Sequence, residues 1–260
     1  MLKTGLVSVT FRKKTIDEII SIARANSLDC IEVGSDVHAP KDDLENCRRI
    51  ASLAAENGVS IVSYGSYYTL GENESPEAEF ESYIKAAKAL GAPNIRVWAG
   101  RCGKYGSRSV SPDVRASMVG EAKLIAKAAK DAGLTISFEY HPGTLTDEPE
   151  SARRLIDEIG MDNVSLYFQP DQGKDTDYNV AALKSVIDRV SNIHVFAWDA
   201  RSGSCIRYPL ADFSDRWSRY LDVINDGRDH ALLMEFVKDD SEGQFVSDAK
   251  TLNEWRKRYV

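Results

Sequence analysis

The chain has 260 residues, 43% of them apolar and 28% charged, with a formal net charge of −7. That apolar share fills one substantial core, while the acidic balance argues against a general nucleic-acid or membrane-surface protein, whose partners are polyanions. Four cysteines (Cys30, Cys47, Cys102, Cys205) form no C-x-x-C pair, which argues against a zinc knuckle or thioredoxin motif and leads us to expect a reducing, cytoplasmic setting.

The chain enters "GLVSVTF" (5–11) with no basic leader, and no run approaches the length of a membrane span. An amphipathic pattern, "TIDEIISIARA" (15–25), follows, then the apolar run "CIEVGSD" (30–36). The same alternation continues with "DLENCRRIASLAAENG" and "SIVSYGS", then "EAEFESYIKAAKALG" and "NIRVWAG", then "VRASMVGEAKLIAKAAKDAG" and "LTISFEY". The last three runs are "VSLYFQP", "NIHVFAW" and "ALLMEF". Gly58, Gly91 and Gly133 sit just past helical patterns, where a left-handed cap is wanted, and Thr15 and Asp43 stand where N-caps belong. Strand–helix alternation implies parallel strands with right-handed crossovers. Eight such units predict a single (β/α)8 TIM barrel spanning residues 1–260, with a doubly wound open sheet as the competing topology.

Side chains alternate along a strand, so parity separates helix-facing from interior positions. In the fifth run Leu134, Ile136 and Phe138 share the apolar parity, and Thr135, Ser137, Glu139 and His141 take the other. By the same rule Ser165, Tyr167, Gln169 and Asp171 point inward in the sixth, His194, Phe196 and Trp198 in the seventh, and Leu233 and Glu235 in the eighth. Taken singly, each has a bland explanation: a solvated carboxylate at a strand end, or a satisfied core histidine. Taken together, Glu139, Gln169 or Asp171, His194 and Glu235 converge on one rim, the face where barrel enzymes place their chemistry. Burying that set without a cation is costly, so a metal site is expected.

These same segments carry a resemblance. With "FEYHPG", "YFQPD", "NIHVFAWD" and "LLMEF" in this order and spacing, essentially the whole chain resembles the xylose isomerase-like barrel superfamily. That superfamily includes ketose 3-epimerases, hydroxypyruvate isomerase and inosose dehydratase. The resemblance implies one divalent ion held by Glu139, the residue at 169, His194 and Glu235. The family's usual Asp is here Gln169, which removes one negative charge. Two carboxylates with neutral His and Gln still balance a divalent ion, and Asp171 is the alternative sixth-strand ligand. The mixed oxygen and nitrogen donors suit Mn²⁺, Mg²⁺, Co²⁺ or Zn²⁺.

A metal flanked by two carboxylates suits proton abstraction next to a carbonyl, with Glu139 and Glu235 as the acid–base pair. Return of the proton to the same carbon from the other face makes an epimerase, and return to the neighbouring carbon makes an isomerase. Loss of a β-hydroxyl makes a dehydratase. Epimerase or isomerase is the favoured expectation, acting on a free sugar or polyol-derived acid. His141, Arg96, Trp98, Asp171, Arg207 and Lys238 are the expected substrate contacts, with Arg96 alternatively a salt-bridge partner of Glu139 or Glu32. Glu32, Asp36 and His38 read as mouth or solvated loop, and "WAGRCGKYGSRS" (98–109) as a solvated loop whose amides could otherwise hold an anion. The rivals are a multinuclear apurinic endonuclease, undersupplied by four histidines, a metal-free retaining glycosidase, and a non-catalytic metabolite-binding barrel. The resemblance also implies a dimer or tetramer.

Overall fold

The computed structural model describes residues 1–259. Parallel strands at Leu2–Val7, Cys30–Gly34, Ser60–Thr69, Asn94–Trp98, Thr135–Glu139, Val164–Phe168, Val190–Val195 and His230–Met234 form one closed barrel. Closure settles the topology, because the first strand pairs with both the second and the eighth (Gly5 opposite Cys30 and opposite Leu233). An open doubly wound sheet would leave the first and eighth strands unpaired with each other.

The helices between the strands start and stop where local chemistry predicts. Thr15 and Glu18 form a reciprocal capping box ahead of Ile16–Ala25, and Asp43 caps Leu44–Glu56. Gly91 and Gly160 end Pro76–Leu90 and Pro149–Ile159 with φ of 68° and 67°, a conformation that costs any residue with a Cβ. The last helix, Glu242–Arg256, returns over the first strand, where Thr4 Oγ1 donates to Asn253 Oδ1 at 2.8 Å. No helix among the described residues is long and apolar enough to cross a membrane.

Alternation puts Leu6, Ile31, Ile95, Ile136 and Leu166 against the helices and leaves the barrel interior to the opposite parity. One side of that interior is apolar, built from Val7, Cys30, Tyr167, Ala231 and Leu233. The other side is a hydroxyl network. Ser63 donates to Asn94 Oδ1, and Asn94 Nδ2 donates to Ser137 Oγ at 2.7 Å. Ser137 in turn bonds Ser165 and Ser191 at 2.8 and 2.9 Å. These small side chains leave the layer above them room for longer, charged ones.

Two local features hold the barrel in register. A Cβ on Gly5 would lie 2.7 Å from both Cys30 Sγ and Leu233 Cδ2, so the strands close only around a glycine. At the lower end His230 Nδ1 faces Ser191 O at 2.8 Å and Nε2 faces Asp226 Oδ1 at 3.2 Å, which ties the eighth strand to the seventh. Burial pushes the Asp226 carboxyl up, but hydrogen bonds from Arg228 and His230 outweigh it and hold it at about 2.

Gly5→Ala is expected to cost about 1–3 kcal/mol through overpacking, read as a lower urea midpoint at unchanged slope. Asp226 has a folded value below its ordinary 3.8, so it stabilises the fold above that pH and loses the contribution as pH falls toward about 2. An Asp226→Asn variant should therefore be less stable than the parent at neutral pH. The two should converge near the acid end of a pH–denaturation series.

Candidate metal centre at the carboxyl end of the barrel

Strand parity delivers five functional side chains to the upper interior: Arg96 from the fourth strand, Glu139 from the fifth, and Gln169, His194 and Glu235 from the sixth, seventh and eighth or just past them. All five are buried. The imidazole of His194 is the hub. Its Nδ1 faces Gln169 Oε1 at 3.2 Å, Glu235 Oε2 at 3.5 Å and Glu139 Oε1 at 3.6 Å. One ligand atom each from Glu139, His194 and Glu235 lie within 4.8 Å of one another. From the sixth strand it is Gln169 that reaches this cluster, and Asp171 does not. Past Pro170 the chain turns, and Asp171 instead accepts from Gly173 N at 2.8 Å while its own N–H bonds Asn179.

Arg96 enters this cluster as an ion-pair partner. Its Nε donates to Glu32 Oε1 at 2.8 Å and its Nη1 pairs with Glu139 Oε2. Arg96 is thus held on two carboxylates, the salt-bridge alternative realised twice over. Glu32 is fully buried on the second strand, not solvated in a loop. A Cβ on Gly65 would fall 2.6 Å from Glu32 Oε1, so the third strand is hollowed to admit this carboxylate.

The charges do not balance among these residues alone. Three buried carboxylates, Glu32, Glu139 and Glu235, face one guanidinium. Burial alone would push the Glu139 carboxyl up, but Arg96 and then His194 outweigh it and hold it at about 2. Glu235 is pushed up by burial, opposed by His194, with the charges of Glu139 and Glu32 adding to the rise. Burial would lower His194, yet Glu235, Glu139 and Glu32 together raise it. With its three carboxylates ionised and His194 neutral, the set carries two more negative charges than Arg96 offsets; the upward shifts of Glu235 and His194 are the response to that excess, and a divalent cation would match it. Two carboxylates, an imidazole and an amide oxygen fit Mn²⁺, Mg²⁺, Co²⁺ or Zn²⁺. A second metal is poorly served, since His38 bonds Ser8 and Lys14 O and His230 bonds Ser191 O, both away from the cluster.

The other expected contacts are less convergent. Trp98 and His141 meet above Glu139 with ring centroids 4.5 Å apart, and His141 Nδ1 is occupied by Pro142 O at 2.8 Å. Arg207 lies in a short hairpin, Trp198–Asp199 against Ile206–Arg207, and is bound to Asp240 at 2.7 Å. Its guanidinium covers Trp198 and Phe236, so it ties the hairpin to the eighth-strand loop. Lys238 is half-exposed, 3.8 Å from its neighbour Asp239, and is not among the side chains brought together. The 98–109 loop does hold an anion, but an internal one: Ser107 N donates to Asp147 Oδ2 at 3.0 Å. The residues that sequence reading undervalued are Glu32 and Tyr167. The alternation of Cys30 and Glu32 against Ile31 and Val33 was the available signal.

A closed parallel barrel with a buried carboxylate–imidazole cluster at its carboxyl rim belongs to the class of α/β barrels that carry their chemistry at that end. Residues 20–251 match the family described as xylose isomerase-like TIM barrel, and the chain belongs to that family. A 3-dehydroshikimate dehydratase from Bacillus anthracis is 24% identical over 177 residues, 64% of this chain and 60% of that protein. The chain therefore spans less than two thirds of that relative in the matched region. Among solved structures, a probable 3-DHS dehydratase of petrobactin synthesis from Bacillus anthracis superposes with a TM-score of 0.80 at 18% identity, covering 97% of this chain and 99% of that one. A 3-keto-D-glucoside 4-epimerase from E. coli gives 0.73 at 17% identity, covering 99% and 100%. A xylose isomerase-like barrel protein from Mycobacterium smegmatis in complex with magnesium gives 0.73 at 14%, covering 99% and 97%.

Replacing Arg96 by Leu should leave Glu32 and Glu139 buried without their partner. A loss of about 3–5 kcal/mol is expected in chemical denaturation of the metal-free protein. Added Mn²⁺ should recover part of that loss by binding the native state.

Proposed function

We propose that this chain is a divalent-metal-dependent enzyme that removes a proton next to a carbonyl on a small polyhydroxylated substrate, with Glu235 as the acting base. The observation that carries this reading is the unequal state of the two glutamates. Glu139 has Oε2 held by Arg96, so an ion bound through its remaining Oε1 would leave it no oxygen for a proton. The Glu235 carboxylate has no arginine on it, and it is the most accessible of the cluster at 8% exposure.

Glu139, Gln169, His194 and Glu235 would hold the ion, which when bound polarises the substrate's oxygens and stabilises the negative charge left as the proton departs. The rest falls to the chain's own groups. Arg96 keeps Glu139 anionic, so that it acts as a fixed negative charge. Trp98 and His141 wall the site beside it, and with Nδ1 engaged by Pro142 O, His141 keeps Nε2 for a substrate hydroxyl. Glu235 takes the proton and returns it.

This differs from the two-carboxylate pairing expected from sequence. Inversion at one carbon needs bases on two faces, and a single base supports transfer between neighbouring carbons or loss of a β-hydroxyl. The similarity to a 3-dehydroshikimate dehydratase supports the dehydration branch as a second reading, and the epimerase neighbour keeps sugar substrates in view.

The test is a panel of ketoses, aldoses and cyclic β-hydroxy ketones in heavy water with Mn²⁺, followed by NMR. Deuterium at the carbon next to the carbonyl is expected, with either an isomerised or a dehydrated product, and a chelator should abolish it. Glu235→Gln at saturating Mn²⁺ should slow exchange about 10²–10⁴-fold. Label appearing without metal, or undiminished in Glu235→Gln, would remove the reading.

A further inference from the structure

The mouth of the barrel has a wall that the preceding chemistry does not use. On the second and third strands Cys30 and Ser63 belong to the lower interior, and Glu32 and the hollow at Gly65 to the level of the ion pairs. One step higher the two strands change character. Gly34 shares the inward parity of Cys30 and Glu32, and a Cβ there would fall 2.9 Å from Asp36 Oδ1. The Asp36 carboxylate therefore folds back over the inner face of its own strand. The third strand shifts register against the fourth between Gly65 and Thr69, an irregularity of the kind that re-aims a side chain beside a site. Tyr67 stands within it. Tyr64 and Tyr68 on either side are buried and bonded to Ala39 O and Glu121, whereas Tyr67 is 36% exposed.

Arg12 completes the wall. Its Nε donates to Asp36 Oδ2 and its Nη2 to the Tyr67 hydroxyl, both at 2.8 Å, and that hydroxyl donates to Asp36 Oδ2 at 3.3 Å. The guanidinium lies 5.2 Å from the centre of the Phe236 ring. Two residues earlier, Thr10 Oγ1 donates to Met234 O at 3.3 Å and accepts from Phe236 N at 3.2 Å. The segment that carries Arg12 is thus fastened to the chain on both sides of Glu235, and the triad stands at the rim beside the proposed base.

What this wall offers a ligand follows from its charge. The guanidinium and the carboxylate cancel. Among the described residues Arg12 Nη1 and Asp36 Oδ1 make no hydrogen bond, so one donor and one acceptor remain. A hydroxyl donates and accepts, and can use both. A carboxylate only accepts, and it would meet the Asp36 charge with its own. The Tyr67 ring adds an apolar face beside the polar pair.

We infer that Arg12, Asp36 and Tyr67 are specificity-determining residues that receive an uncharged, hydroxyl-bearing end of the substrate and disfavour one that ends in a carboxylate. The reacting end of that substrate rests on the proposed function above; the preference at the far end is a property of the triad.

The experiment uses the full chain with Mg²⁺ and two matched pairs of probes, D-fructose with D-fructuronate and D-tagatose with D-tagaturonate. Within a pair only the terminal hydroxymethyl group changes, to a carboxylate. Saturation-transfer NMR titrations give the affinities, and heavy-water incubation of the same samples gives exchange. The parent should bind the neutral member at least about 10-fold more tightly. Asp36→Asn should shrink or invert that ratio, because the guanidinium is then unopposed. Arg12→Leu should weaken the neutral member about 10–100-fold, and Tyr67→Phe about 3–10-fold. A parent that prefers the acid, or that binds neither member of either pair, overturns the inference. So does Asp36→Asn with the parent's ratio, the result expected if the triad only ties loops together. Should Asp36→Asn not fold, the parent's ratio and the Arg12→Leu and Tyr67→Phe affinities decide. If the neutral sugars bind with the expected preference and no deuterium enters them or any other ketone tried, the proposed proton chemistry falls and the assignment of the triad stands.

Discussion

The pairing of one arginine with two glutamates across a closed barrel is the interaction on which the rest of this molecule turns. Arg96 reaches Glu32 on one side and Glu139 on the other, all three almost without solvent. Buried ion pairs seldom add much stability over an apolar core, because desolvation offsets the attraction. Their value here is placement. The guanidinium fixes where Glu139 can point and keeps it ionised, and it makes two similar carboxylates chemically unlike. One glutamate is committed to charge, while the other, Glu235, carries no arginine.

That differentiation depends on closure. Glu32 and His194 belong to the second and seventh strands and are far apart in sequence. They come within 4.0 Å because the first strand joins the second to the eighth. Register does the fine work. Leu233 lies opposite His194, and two residues further along Glu235 emerges with its N–H on Val195 O. A slip of one residue between these strands would turn one of the pair outward. Phe236 follows with φ of 45°, an uncommon angle for an aromatic residue, and the chain bends away from the rim immediately after the proposed base.

The strands, the helices and the inward set from strands five to eight were legible in the sequence, because each depends on alternation or caps that operate within about ten residues. Glu139, Gln169, His194 and Glu235 were read from parity and stand together in the structure. What escaped was of two kinds. The sequence offers Arg96 as a salt-bridge partner of Glu139 or Glu32, but its simultaneous hold on both is a fact of tertiary closure that no local pattern encodes. Asp171, Arg207 and Lys238 lie beyond strand ends, where the chain turns and parity loses its meaning. Asp171 shares inward parity with Gln169 on paper, yet its carboxylate closes a turn with Gly173.

The lower half of the barrel has a quieter consequence. Ser63, Asn94, Ser137, Ser165 and Ser191 bond to one another, and Val7, Tyr167 and Leu233 fill the opposite side. The vessel is thereby stoppered at its base, by hydroxyls and an amide that bond one another on one side and by close packing on the other. A guest seated on the upper cluster would have to come and go by the upper end, because the lower one is filled.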